Sequence, residues 1–188
     1  VERQPILMGM VVSVVMGICL TLPISSAALG IILGLSGIAG GAAVVGCSAQ
    51  MIGFAVASYR ENRLGGLLAQ GVGTSMLQMP NIIKNPRIWI APTLASAITG
   101  PLATCVFGLK MYGAAINSGM GTCGLLGPIG MILGWFDGEN AYPYDVTVLN
   151  WVGLILVCFI LPAVLSLLFD FLMRKLGWVK DGDMKLEL

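Results

Sequence analysis

The stretch AAINSGMGTCGLLGPIG, residues 114–130, contains Gly119-Met120-Gly121-Thr122-Cys123-Gly124, a literal G-x-G-x-x-G. In a soluble enzyme that spacing cradles a dinucleotide pyrophosphate. The chemistry needs a preceding strand, a helix opening after the glycines, and an acidic residue about 20 positions on. Here the preceding LKMYGAAINS has no alternating or β-branched run, and the nearest acid, Asp137, comes only after another apolar stretch. The dinucleotide reading fails. Covalent chemistry is equally poorly supplied. The chain has no histidine, so a Ser or Cys nucleophile would need a lysine or carboxylate as its base, and Lys110 near Cys105 or Cys123 does not make a convincing pair. Cys19, Cys47, Cys105, Cys123 and Cys158 all lie in apolar stretches with no C-x-x-C, which reads as small buried side chains rather than a disulfide framework or zinc site. We expect no catalytic residue, no metal and no cofactor.

Binding chemistry is better represented. Glu61 lies between Arg60 and Arg63 and beside Asn62. Gln78, Asn81 and Asn85 are spaced by three and four residues and can share one helical face, although Pro80 and Pro86 work against a regular helix there. Amides both donate and accept, and a carboxylate makes the stronger, charge-assisted bonds. Such a set suits a neutral, hydroxyl-rich ligand. Asn117, Ser118 and Thr122 add polar atoms to the glycine segment. The expected ligand-binding residues are Glu61, Asn62, Gln78, Asn81, Asn85, Asn117, Gly119, Gly121 and Thr122. The plainer alternative for Glu61 is a surface charge paired in water.

The elements that must position these groups are membrane helices. The chain is 57% hydrophobic and 10% charged, with a mean hydropathy of +0.92, whereas a soluble domain carries about 25% charged residues. This predicts an all-α integral membrane protein: a single polytopic domain with about four transmembrane helices plus re-entrant or interfacial segments. A net charge of +1 and the lack of a basic stripe interleaved with aromatics exclude nucleic acid as a partner.

Spans are expected near 6–22, 27–59, 88–109 and 147–173. The second is too long for one upright crossing, and Gly37-Ile38-Ala39-Gly40-Gly41 can kink or divide it. Residues 64–79 are too short and polar to span. Residues 111–135 carry glycines too dense for a continuous helix, each costing about 1 kcal/mol against alanine. Broken backbone survives at membrane depth only inside protein or beside a watery cavity, so both segments are re-entrant or interfacial candidates. Gly30-x-x-x-Gly34, Gly37-x-x-x-Gly41 and Gly130-x-x-x-Gly134 fit close helix packing. Residues 174–188 read as a charged cytoplasmic tail, and Asp137, Glu139 and Asp145 as an acidic outer loop. With both termini cytoplasmic, nine of the ten basic residues face inward and only Lys110 lies outside, as the positive-inside rule favours. The missing initiator Met suggests a processed chain or a portion of something longer.

The stretch GAAVVGCSAQMIGFAVASYRENRLGGLLAQGVGTSMLQMPNIIKNPRIWIAPTLASAITGPLATCVFGL, followed by GAAINSGMGTCGLLGPIG, resembles the membrane (IIC) component of bacterial phosphotransferase-system sugar permeases, in the branch labelled toxin regulator or perfringolysin O regulator-like. The similarity runs from about Gln4 to about Trp135, with NIIKNPRIWIAPTLASAITGP its most specific part, and looks like the C-terminal portion of longer members. It implies a multi-pass protein of the bacterial cytoplasmic (inner) membrane that binds a carbohydrate, works with IIB/IIA-type cytoplasmic phosphotransfer subunits, and carries no phosphorylated residue of its own. A homo-oligomer in the lipid bilayer is the expected assembly. Relatives of the glucose type use an acidic residue near the sugar, a role that only Glu61 matches here. The leading function is therefore a sugar-binding permease component. The rivals are a membrane-embedded ligand sensor or regulator that does not transport, and a passive pore.

Overall fold

The computed structural model describes residues 3–136 and 146–186; the acidic loop expected around Asp137, Glu139 and Asp145 lies outside them. Among the described residues the chain is helical, and its one β-feature is an isolated bridge between Gly37 and Met111. The helices are α1 (Pro5–Thr21), α2 (Ser26–Ile32), α3 (Gly37–Ala57), α4 (Tyr59–Leu68), α5 (Met79–Lys84), α6 (Ile90–Pro101), α7 (Leu126–Phe136), α8 (Val148–Ile155) and α9 (Leu161–Lys175). Short 3-10 and π turns extend several of them. Three continuous helical runs are long and apolar enough to cross a membrane: Gly37–Ala57, Pro86–Val106 and Val148–Lys175; Pro5–Thr21 and Cys123–Phe136 are shorter apolar helices. The expected all-α membrane class holds.

Helix α3 is the hub. Its 21 residues rise about 1.5 Å each, about 31 Å in all, which matches a hydrocarbon core of about 30 Å. Ala42, Ala43, Val44, Cys47, Ser48 and Ala49 are all buried, and such small residues let neighbouring backbones come close. Gly46 is the tightest case: a Cβ there would collide with the carbonyl of Ser13 on α1. Helices α1, α6 and α9 pack around α3. Of the most apolar 18 residues of Val148–Lys175 only 33% are buried, against 83% for the matching part of α3, so its outer face is left for lipid. Two prolines are accommodated by widened turns. Pro101 closes α6 before the π turn Leu102–Val106, and Pro162 follows the π turn Leu156–Ile160. Each lacks an N–H and crowds the preceding turn.

Contacts give the helix directions. Ser13 and Gly17 of α1 meet Gly46 and Gln50 of α3 in the same order, so α1 and α3 run parallel. Against Pro86–Val106 the order reverses, with Thr104 Oγ1 donating to the Pro5 carbonyl and Ser13 Oγ to that of Ser96. This corrects the simple up-and-down layout. Pro5 and Lys175 lie at opposite ends of the bundle, not at the same one. The stretch 27–59 is divided at 33–36, with Gly34 in the break and Gly37 at the start of α3 both at positive φ. Those two glycines turn the chain rather than pack helices.

Two broken segments fill the bundle from opposite ends. Residues 111–136 enter and return by one end: Gly113 abuts Gly130 and Gly134 abuts Tyr112 and Gly113, while Gly127 N–H donates to the Gly121 carbonyl at the tip. That tip rests on Cys47 and Ser48, ten residues into α3 and so about 15 Å deep. From the other end, the π turn Ala69–Gly73 dips beside Ile52 and Ala55. The two meet where Thr122 Oγ1 donates to the Gly71 carbonyl at 2.7 Å.

Candidate functional site

The site grows from the chain reversal after α3. Ser58 ends that helix, and Glu61 and Asn62 lie in the first turns of α4. At Arg63 the backbone takes φ 52, ψ −150, a region that favours glycine and costs an L-residue about 1–3 kcal/mol. Further on, Gln78 closes a 3-10 turn, Asn81 lies in α5, and Asn85 caps it and accepts from Arg87 N–H. Gln78, Asn81 and Asn85 thus do not share one helix, because Pro80 lies in the first turn of α5 and Pro86 starts a new 3-10 turn. They nonetheless face one object.

That object is the segment 177–186. After α9 the chain reverses at Gly177 (φ 72) and bends again at Gly182 (φ 99), then lies across α4 and α5 as a strap. Part of the charged tail expected over 174–188 is thus docked on the bundle. The Glu61 carboxylate accepts from the backbone N–H groups of Gly182 (3.1 Å) and Met184 (2.8 Å). Asn62 donates to the Met184 carbonyl and accepts from Leu186 N–H, both at 2.8 Å. Gln78 donates to the same Met184 carbonyl at 3.0 Å, and Asn81 to that of Lys185 at 3.0 Å. Asn85 donates to the Trp178 carbonyl and the Asp183 carboxylate. Val179 and Met184 are buried with Phe54, Ile82 and Ile88, and the Arg87 guanidinium stands 5.6 Å over the Trp178 ring.

Glu61 is therefore not a solvated surface charge. Its side chain is 8% exposed and pairs with Arg174 at 3.2 Å. Arg174 also holds Asp170 and Asp181, each at 2.7 Å. Asp170 and Arg174 are residues that sequence reasoning passed over. The available signal was an acid inside an otherwise apolar span, where ionisable groups are expensive and normally paired. Gln70 is the other omission. Fully buried, it accepts from Gln78 (2.8 Å) and donates to Ser58 Oγ (2.8 Å) and the Gly66 carbonyl (3.1 Å).

The expected ligand-binding residues thus form two groups. Glu61, Asn62, Gln78, Asn81 and Asn85 gather under the strap. Asn117, Gly119, Gly121 and Thr122 belong to the segment entering from the far end. Gly121 (φ 52) lies so close to α3 that a Cβ would stand 2.7 Å from Cys47. The Gly119 carbonyl accepts from Ser26 Oγ at 2.7 Å. Asn117 lines a cavity of about 450 Å³ with Gly113, Gly130 and Leu133. Thr122 joins the groups through Gly71, next to Gln70 and hence to Gln78. A second cavity, about 430 Å³, opens beside the strap between Thr74, Asn81, Lys84, Lys185 and Leu186; both volumes fall in the range of small-molecule sites.

Comparison with known proteins bears on what such an arrangement is for. The family model described as Phosphotransferase system, EIIC matches residues 1–186. Neither the curated proteins nor the solved structures give a match.

Proposed function

The chain belongs to the phosphotransferase-system EIIC family, the membrane components of sugar permeases, and we propose that it binds its sugar at Glu61, Asn62, Gln78, Asn81 and Asn85. Membership brings a carbohydrate substrate, a bilayer and IIB/IIA-type partners. The observation that supports this placement is the hydrogen-bonding density under the strap. A carboxylate and several amides within one layer bind the turns of residues 182–186 through backbone N–H and C=O groups, and sugar hydroxyls present donors and acceptors at comparable density. Asn117, Gly119, Gly121 and Thr122 continue from this site toward the opposite end, so the polar groups follow one track through the bundle. Discontinuous segments meeting inside a bundle are the usual setting of transporter sites.

We place the strap end in the cytoplasm of a bacterial inner membrane. Arg60, Arg63, Lys84, Arg87, Lys180 and Lys185 lie on the elements gathered at that end, as the positive-inside rule favours. Pro5 then starts on the far side. The strap itself favours a second reading, a sensor in which ligand binding moves a segment without transport. Uptake of labelled sugar by cells with and without the IIB subunit separates the two.

Calorimetry with a panel of neutral sugars tests the site. Glu61→Gln is expected to weaken binding more than tenfold, about 1.4 kcal/mol, with the fold retained. Gln78→Ala and Asn85→Ala should each do less. Wild-type affinity in the Glu61→Gln protein would remove Glu61 from the site.

A further inference from the structure

We propose that the segment 177–186 is a gate that occupies the sugar groups in ligand's stead, so that a carbohydrate binds only as the strap leaves. The inference rests on the carbohydrate reading of Glu61 and its neighbours and adds how access to them is controlled.

Three observations carry it. First, the receptor groups are already engaged. Both Glu61 oxygens, both ends of the Asn62 amide and the Gln78 and Asn81 amide nitrogens are bonded to strap backbone. A hydroxyl can replace a backbone N–H or C=O one for one, so strap and sugar compete for the same bonds. Second, the strap is built to be released. It turns at Gly177 and Gly182, both at positive φ with nothing within 4 Å of an added Cβ. Its one ion pair to the bundle among the described residues, Asp181 with Arg174, has an aspartate 88% exposed, and exposed pairs hold weakly. Its apolar anchors are Val179 and Met184. Third, the cavity of about 430 Å³ has Asn81 on one wall and Lys185 and Leu186 of the strap on another. Lifting the strap joins that space to Glu61, Asn62 and Gln78.

The test uses the full chain with Leu186→Cys as reporter, read by a charged maleimide against the same protein lacking that cysteine. Met184→Pro deletes the N–H that Glu61 accepts and leaves every receptor side chain in place. Val179→Ser, which cuts a separate anchor, serves if the proline variant does not fold. Either variant should raise the labelling rate of the reporter thiol at least tenfold and tighten binding of the best-bound sugar from a panel of neutral hexoses, hexitols and disaccharides severalfold. Saturating sugar should also speed labelling in the parent. Equal labelling in all backgrounds overturns the gate. Faster labelling without a gain in affinity shows a strap that moves but does not compete, and overturns it too. Loss of the sugar site is read separately, by Glu61→Gln in the Met184→Pro background. Unchanged binding there moves the carbohydrate elsewhere and ends the competition, whereas weakened binding keeps the site and leaves the gate to the labelling result.

Discussion

The strap end and the glycine hairpin both bury polar groups inside an apolar bundle, by opposite means. Under the strap, long side chains do the bonding: Glu61, Asn62, Gln78 and Asn81 reach out to a segment that crosses them. In the hairpin, backbone approaches backbone, and short hydroxyls finish the work, Ser118 to the Leu35 carbonyl and Thr122 to that of Gly71. Bonds made by side chains can be exchanged for a ligand's while the scaffold stays in place. Contacts made by glycine backbones cannot be exchanged without moving a helix. The first region is therefore suited to bind and release, and the second to hold the bundle's middle rigid.

Gly121→Ala tests this division most severely. The residue sits at φ 52 with Cys47 and Ser48 backbone 2.7 Å from an added Cβ. Strained φ and overpacking together should cost about 2–4 kcal/mol. We expect a large fall in folded yield and melting temperature in detergent, and greater losses for Gly121→Leu. A Gly121→Leu protein that stays folded but inactive would instead show that the hairpin tip lines open space.

Gln70→Ala should come next, because Gln70 is where the two regions connect. Removing its amide leaves Gln78 Nε2 without one of its two acceptors and strands Ser58 Oγ, both in residues with no exposed surface. Burying unpaired polar groups costs about 1–3 kcal/mol. The melting temperature should fall by less than for Gly121→Ala, and sugar affinity should fall with it, since Gln78 loses its orientation. If Gln70→Glu, which keeps an acceptor for Gln78 Nε2 but loses the donors to Ser58 and Gly66, restores binding, the acceptor oxygen is what positions Gln78.

The two regions also differ in how legible they were. The apolar runs ending in α6 and α9 are plain in the sequence because almost no charge interrupts them, and Pro101 and Pro162 mark their irregular turns. The hairpin's broken character follows from the density of Gly119, Gly121, Gly124 and Gly127. The strap has no such signature. VKDGDMKL, residues 179–186, reads as part of a charged tail because its docking uses backbone N–H and C=O groups, which every residue possesses, and only Val179 and Met184 hint at burial. Helix direction was hidden for a related reason. Hydropathy and charge counts locate apolar segments but not the short returning piece 22–36, so α1 and α3 read as antiparallel neighbours when their contacts make them parallel. Glu61 was legible as a candidate and its cluster of amides as a group. The partner that now fills them lies 93 to 124 residues away in the chain, beyond the reach of local spacing.

Ser166 should give the smallest effect. Its Oγ is the one buried side-chain N or O atom among the described residues with no hydrogen-bond partner, and it faces Gly53 and Pro92 where α9 crosses α3 and α6. A hydroxyl in that position contributes size rather than bonding. Removing an unsatisfied buried group relieves a desolvation cost, while losing one atom from a tight crossing forfeits some packing; the two nearly cancel. Ser166→Ala should therefore change the melting temperature little, by the equivalent of about 0.5 kcal/mol or less, and should leave the labelling of the strap reporter and the sugar affinity unaltered. A Ser166→Ala protein with clearly weakened sugar binding would mean that the hydroxyl finds its partner only in a ligand-bound arrangement of α3 and α9. The contrast would then need redrawing, because the tightly packed interior would also take part in binding.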